Sequence, residues 1–148
     1  MSSIKRTVHA DHSVQQMYQL INDIPAYPAF VPGCIKAQVL AQQEHQMMAS
    51  LWLSFAGIQK TMTTQNHLIP NESITLQLID GPLRHLSGGW YLRPFTPQTC
   101  EITLDLQFEL NSPRLDYLFG CLFKELVSRM TMAFTQRAAV LYGCHYYS

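Results

Sequence analysis

The fold is decided by one stretch of the sequence, residues 112–142, which reads SPRLDYLFGCLFKELVSRMTMAFTQRAAVLY. Ser112 is a good helix N-cap, and Pro113 suits the first helical position because the N–H that proline lacks would have no partner there. Gly143 is a typical stop. One stripe of apolar residues recurs at helical spacing: Leu115, Phe119, Leu122, Phe123, Leu126, Met130, Ala133, Phe134 and Leu141.

This pattern predicts a terminal helix of about 30 residues, which would be roughly 45 Å long. A compact chain of this size has a radius of gyration of only about 15 Å. The helix therefore has to span the whole domain, and the rest of the chain must wrap around its apolar side.

The middle of the chain, residues 35–110, has the period-two pattern of β-strands, with turn signals about every ten residues. The clearest strand is residues 101–110, in which apolar and polar side chains alternate. Upstream, residues 3–10 predict a first strand, Ser13 and Gln16 form a capping box for a short helix, and three prolines break residues 24–34 into a second short helical piece. The order of elements predicts an α+β fold, a curved antiparallel sheet of about seven strands that grips the long helix.

Length and composition narrow the class of protein. The 148 residues, of which 47% are hydrophobic, predict a single domain, residues 1–148. Ten basic and ten acidic side chains cancel, which argues against a DNA-binding protein or any strong nonspecific binder of nucleic acid. No apolar run has the length of a membrane span, and no signal peptide is evident, so we expect a soluble, cytoplasmic protein.

The four cysteines, Cys34, Cys100, Cys121 and Cys144, show no CxxC spacing, which predicts neither a zinc site nor a redox pair. We expect them to be reduced thiols, with Cys100 and Cys121 inside the core.

One predicted strand, residues 58–68, has a mixed face that suggests a cavity. Lys60, Thr64 and Asn66 share their side of the strand with apolar residues. If this face points inward, it brings polar groups into the interior, which is costly in a filled core and sensible in a cavity. The alternative is that Lys60 extends to water at the edge of the sheet. The pair Gly88 and Gly89 interrupts another strand and indicates a bulge or a close approach by another group.

Four motifs carry a resemblance to a known family: DIPAYPAFVPGC at residues 23–34, DGP at 80–82, GGW at 88–90 and FKEL at 123–126. With them the chain resembles the coenzyme Q-binding START-like family, part of the polyketide cyclase and birch-pollen-allergen superfamily, and within it the bacterial ribosome-association toxins. The resemblance covers residues 4–142 and implies a helix-grip fold. It further implies that an isoprenoid quinone such as ubiquinone, or a lipid, is held without chemistry between sheet and helix, in support of respiration as a quinone carrier or chaperone. The resemblance to the toxin branch implies an alternative function: the protein binds the large ribosomal subunit and thereby blocks its joining to the small subunit.

For the ligand site we single out large side chains expected on the inner faces of sheet and helix. These residues could equally fill a core. Lys60 is a candidate polar contact at the mouth. The expected pocket walls are Tyr27, Phe30, Trp90, Phe108, Leu122, Leu126 and Met130.

The expected partners are therefore a hydrophobic small molecule and, on the alternative, the large ribosomal subunit, with transient membrane contact allowed. The basic residues that could meet the ribosome are scattered: Lys5, Arg6, Lys60, Arg84, His85 and Arg93. The back of the long helix carries small or mildly polar residues and is either a partner-binding face or a plain solvated face: Tyr117, Cys121, Lys124, Ser128, Thr131, Thr135, Ala139 and Tyr142.

An enzyme is the third class to weigh, because relatives in the superfamily include cyclases and aromatases. Such chemistry needs a polar group aimed at the substrate within the cavity. No inward pair of carboxylates is evident, and the histidines lie at the ends of elements or in turns: His9, His12, His45, His67, His85 and His145. We therefore expect no catalytic residue, no metal ligand and no cofactor.

Overall fold

The computed structural model describes residues 2–143. Within this range seven antiparallel strands form one sheet in the order β1-β7-β6-β5-β4-β3-β2. The strands are β1 (Ser2–Ala10), β2 (Cys34–Gln42), β3 (Gln46–Phe55), β4 (Ile58–Ile69), β5 (Ser73–Asp80), β6 (Leu83–Thr96) and β7 (Thr99–Leu110). The fold class predicted from the sequence is confirmed, whereas the predictions for Cys144 and His145 lie outside the described residues.

Two short helices carry the chain from one edge of the sheet to the other, since β1 and β2 are its two edge strands. Helix α1 (Val14–Asn22) begins with the predicted capping box, in which the Gln16 backbone N–H donates to Ser13 Oγ and the Ser13 N–H donates to Gln16 Oε1, both at 3.1 Å. A 3-10 helix (Ile24–Ala29) follows, because the prolines of this segment do not suit an α-helix. Both helices close one end of the concave side.

The glycine pair in β6 allows the neighbouring strands to approach closely. A Cβ at Gly88, which has a φ of +109°, would stand 2.0 Å from the Asp105 carbonyl oxygen, and one at Gly89 would stand 2.2 Å from the Ile74 carbonyl oxygen. The close neighbours expected at these glycines are therefore the backbones of β7 and β5.

The long helix α2 (Tyr117–Tyr142) has 26 residues and starts later than predicted. Asp116 Oδ2 accepts from the Ser112 N–H at 2.9 Å, and the Leu115 N–H donates to Ser112 Oγ at 3.3 Å, so Ser112 caps a turn that precedes the helix. Leu115, predicted on the core stripe, is 89% exposed because it lies in this turn. Leu141 is also exposed, at the far end of the helix.

The prediction for Cys121 is also wrong, because this residue is exposed, whereas Cys100 is buried as expected. Cys121 lies between the inward-facing Phe119 and Phe123, and the 100° turn per residue carries it to the outer side of the helix.

Aromatic side chains fasten α2 to the rest of the fold. The Phe134 ring, which is fully buried, lies 5.3 Å from Tyr27, 5.0 Å from Phe30 and 5.0 Å from Trp90, measured between ring centroids. One helix residue thus joins the 3-10 helix to β6. These edge-to-face contacts are the favoured aromatic geometry.

Candidate ligand-binding site

The space between the sheet and α2 contains two small adjoining chambers. An apolar chamber of about 50 Å³ lies under the middle of α2 and is bordered by Phe123, Leu126 and Val127 from the helix. A second chamber of about 50 Å³ lies towards α1 and is bordered by Asn22, Thr64 and Asn66; we call it the polar chamber. The two chambers share five wall residues, namely Leu51, Met62, Leu76, Trp90 and Met130.

A wider groove lies on the surface beside the apolar chamber. It has a volume of about 280 Å³ and runs between α2, the segment Pro32–Gly33 and the end of β3. Leu126 borders both this groove and the apolar chamber. The Leu126 side chain therefore separates the interior from the outside, and its movement would join the two spaces.

The chambers are small for a ligand in the present conformation. Pockets for small molecules usually measure about 300–1,000 Å³. Side chains fill most of the helix-grip interior here, so a quinone or lipid would need α2 or the wall side chains to move outward. Met130, a flexible wall residue common to both chambers, is suited to such repacking.

Thr64 and Asn66, on the mixed face of β4, point inward, as expected if this strand borders a cavity. Thr64 is 9% and Asn66 3% exposed, and the Thr64 hydroxyl donates a 2.7 Å hydrogen bond to Asn66 Oδ1. Asn22 Oδ1 is buried as well, and it has no hydrogen-bond partner within residues 2–143. Lys60, at the start of the same strand, is exposed and borders neither chamber, as expected for a side chain that extends to water.

The structure brings together some of the predicted wall residues. Trp90 and Met130 border both chambers, Tyr27 borders the polar chamber, and Leu126 borders the apolar one. The Tyr27 hydroxyl donates to the Ile21 carbonyl, and its burial raises the pKa of this phenol far above the usual value. That hydroxyl is therefore neutral and already engaged.

The other predicted wall residues lie elsewhere. Leu122 borders only the outer groove. Phe30 lies behind Tyr27 and under the Arg137 guanidinium, whose carbon is 5.3 Å from the ring centroid, and Phe108 packs on Phe123 with 5.0 Å between ring centroids. Phe30 and Phe108 thus support the walls from behind.

Sequence reasoning missed two features of the site. Asn22 is the last residue of α1 and carries no periodic signal that would mark it as inward-facing. The groove is bordered by Glu125 and Arg129, which form the i,i+4 pair expected from the sequence, with 3.0 Å between Arg129 Nε and Glu125 Oε1. Both side chains are largely exposed, so this pair contributes little stability.

Among residues 2–143, no histidine, lysine, arginine, cysteine or carboxylate side chain borders either chamber. Their walls are apolar apart from asparagine, threonine and tyrosine side chains. Within residues 2–143 no cluster of histidine, cysteine and carboxylate side chains could hold a metal ion. No helix in that range is long and apolar enough to cross a membrane.

The back of α2 is less free than the sequence suggested. Thr131 is buried, and Ser128 Oγ accepts a 3.1 Å hydrogen bond from Arg6 of β1. This part of the face therefore lies against the edge strand β1. Tyr117, Cys121 and Lys124 stay exposed near the start of α2.

The basic residues considered for ribosome contact are partly neutralised. Arg84 lies 3.5 Å from Glu109 and Arg93 lies 3.5 Å from Glu101, with exposed or half-buried partners. The His85 ring is hydrogen-bonded to Ser87 at 3.0 Å. The basic residues considered lie on three different strands, β1, β4 and β6.

Comparisons with known proteins agree with this architecture. Residues 10–135 match the family described as polyketide cyclase / dehydrase and lipid transport. The chain is 44% identical over 143 residues to the ribosome association toxin RatA of Vibrio cholerae serotype O1, which covers 97% of this chain and 99% of that protein. It is 30% identical over 135 residues to the mitochondrial coenzyme Q-binding protein COQ10 homolog B of Xenopus laevis, which covers 88% of this chain and 55% of that protein.

Among solved structures, the crystal structure of TTHA0849 from Thermus thermophilus superposes with a TM-score of 0.83 at 14% identity, covering 94% of this chain and 98% of that one. At this identity the likeness concerns the fold alone. The family match, by contrast, spans the segments that build the chambers, from α1 to the last turns of α2. The resemblance seen in the sequence motifs is confirmed, and this chain belongs to the START-like polyketide cyclase and lipid transport family.

Proposed function

We propose that this chain is a non-enzymatic binding domain that holds an apolar ligand, such as an isoprenoid quinone or a lipid, between the sheet and α2. The observation that carries the proposal is the apolar chamber, whose wall shares the Leu126 side chain with the groove on the surface. A ligand could enter through this groove and displace Leu126 and Met130. The likeness to a coenzyme Q-binding protein supports a quinone as the ligand.

We also propose that the protein does not catalyse a reaction on its ligand. An enzyme of this fold would need an ionisable group at its substrate. The walls of both chambers supply amide, hydroxyl and apolar groups. These groups can bind and orient a molecule, and we expect the purified protein to release it unchanged.

Substitution of Leu126 tests the cavity. Leu126→Trp places a larger side chain between groove and apolar chamber, so we expect the variant to lose uptake of a short-chain ubiquinone or a fatty alcohol while it stays folded. The matched control is Leu118→Trp, since Leu118 lies on the same helix and is 57% exposed. Uptake by Leu126→Trp equal to that of the control would contradict the assignment of the cavity.

A second function is favoured by a separate observation. The 44% identity to a ribosome association toxin extends over almost the entire length of both chains. We therefore propose that the protein also associates with ribosomes, through the large subunit as the sequence motifs imply. Since basic and acidic residues are equal in number, we expect contact with a ribosomal protein to contribute more than contact with RNA phosphates.

Sedimentation of purified ribosomal subunits with this protein tests the second function. The expected result is co-sedimentation with the large subunit and fewer joined ribosomes at equal subunit concentration. Unchanged joining at a large excess of protein, with no protein in the large-subunit fraction, would reject it. The Leu126→Trp variant should behave like the parent protein if the cavity and the ribosome-binding surface are independent.

A further inference from the structure

The polar chamber has hydrogen-bonding groups that the protein itself does not use. Asn22 Oδ1 is buried and has no partner among residues 2–143. An unpaired buried acceptor costs about 1–3 kcal/mol, so native proteins rarely keep one without a reason. Because Asn22 also borders the polar chamber, a small movement of its side chain would turn this acceptor towards a ligand.

A second element that borders the same chamber, strand β4, supplies a donor. The Asn66 side chain is 3% exposed, and its Oδ1 already accepts from the Thr64 hydroxyl. That bond uses the amide oxygen of Asn66, and so the Nδ2 amino group keeps its hydrogens for another acceptor. The Tyr27 hydroxyl is engaged with the Ile21 carbonyl and does not compete.

The chamber thus has an acceptor in Asn22 and a donor in Asn66, and among residues 2–143 no lysine, arginine or histidine borders either chamber. A buried carboxylate or phosphate would lack a countercharge there and would pay a large desolvation cost. A carbonyl can accept from Asn66 but cannot donate to Asn22. A hydroxyl group does both at once.

We infer that the polar chamber recognises a neutral hydroxyl group on an apolar ligand, so that the cavity prefers a quinol to the corresponding quinone. This inference rests on the proposed binding of an apolar ligand and specifies which chemical class of ligand is bound. The hydroxyl donates to Asn22 Oδ1 and accepts from Asn66 Nδ2, while the apolar body extends through the apolar chamber towards Leu126. A long-chain alcohol carries the same polar group and is the second source of ligands with this chemistry.

Paired titrations test the inference. The full-length protein is titrated calorimetrically, without oxygen, with a short-chain ubiquinone and with its quinol, and separately with dodecanol and with dodecanoate. Because a quinone would leave the Asn22 acceptor buried and unpaired, we expect the quinol to bind about tenfold more tightly. Dodecanol should likewise bind more tightly than dodecanoate. The tighter of the two hydroxyl ligands distinguishes a quinol from a lipid alcohol as the natural source.

Two variants and one control assign the effect to the chamber. Two variants, Asn22→Leu and Asn66→Leu, should each still bind quinone, with a ratio of quinone to quinol dissociation constants close to one. Asn22 lies at the end of a helix. Gln65→Leu is the control, since Gln65 is the neighbour of Asn66 on β4 and faces the opposite side of the sheet. The Asn22 variant keeps the test decisive if Asn66→Leu does not fold.

The outcomes distinguish failure of the hydroxyl preference from failure of apolar-ligand binding. Equal affinity of the parent protein for quinol and quinone, or a preference that survives in both leucine variants, would overturn the hydroxyl inference and leave the apolar cavity intact. Failure of all four probes to bind would overturn the proposed function together with the inference. Tighter binding of dodecanoate than of dodecanol would also reject a neutral head group.

Discussion

Phe134→Ala should release α2 from the rest of the fold. The Phe134 ring is fully buried and touches three aromatic rings, those of Tyr27, Phe30 and Trp90, with centroid distances of 5.0 to 5.3 Å. Truncation of a buried phenylalanine to alanine costs about 3–5 kcal/mol, and the loss of three edge-to-face contacts places this position at the upper end. We expect a loss of about 4–5 kcal/mol, which is a large part of the stability of a domain of this size.

Urea denaturation followed by tryptophan fluorescence measures this loss, because Trp90 is 3% exposed and lies against Phe134. Tyr117→Ala is the matched control: Tyr117 lies on the same helix and is 69% exposed, so its removal should cost less than about 0.5 kcal/mol. A loss below about 1 kcal/mol for Phe134→Ala would show that the helix is not held by this aromatic cluster.

Three further predictions concern the sheet and the thiols. Gly88→Ala should abolish folding or remove most of the stability, because its Cβ would stand 2.0 Å from the Asp105 carbonyl oxygen. The control Gly57→Ala, at a φ of +80° with nothing within 4 Å of the added Cβ, should cost only about 1 kcal/mol. Similar losses of stability for the two variants in thermal denaturation would refute the close contact at Gly88. Alkylation of the native protein should modify exposed Cys121 well before buried Cys34 and Cys100, as peptide mass spectrometry would show, and simultaneous modification of all three would contradict the burial. Burial raises the pKa of the Cys100 thiol from 9.0 to about 11, so the folded state favours the neutral thiol; its contribution to stability is complete below pH 9 and declines as the pH rises to about 11. Cys100→Ala should make this alkaline decline in urea titrations less steep, while buried Cys34, whose pKa is also raised, keeps part of it; an unchanged slope would reject the link.

The fold could be predicted from the sequence because period and turn signals act locally. The alternation in β7 and the apolar stripe of α2 each follow from one face of an element being buried. The start of α2 was missed for an equally local reason: Ser112 and Asp116 hydrogen-bond to nearby backbone groups, which makes a turn where Ser112 alone suggests an N-cap. The exposure of Leu115 follows from that same turn.

The site was harder to predict, because it depends on which side chains leave space unfilled. Phe108 and Trp90 both point inward, yet only Trp90 borders the chambers, since Phe108 is covered by Phe123. The polar side of β4 was visible in the alternation of Thr64 and Asn66. Asn22 lies across the cavity on an element far from β4 in the sequence, and the sequence contains no sign that the two meet.

The most direct test of the account is mass spectrometry of an organic extract from the protein purified out of a quinone-producing bacterium. We expect an apolar molecule with a free hydroxyl group, a quinol or a lipid alcohol, at close to one equivalent per chain. It should be lost from the Leu126→Trp variant but not from Leu118→Trp. Anaerobic extraction is needed, because quinol oxidises to quinone in air. An extract without any stoichiometric ligand, taken from protein that is folded and still associates with the large ribosomal subunit, would contradict the central claim.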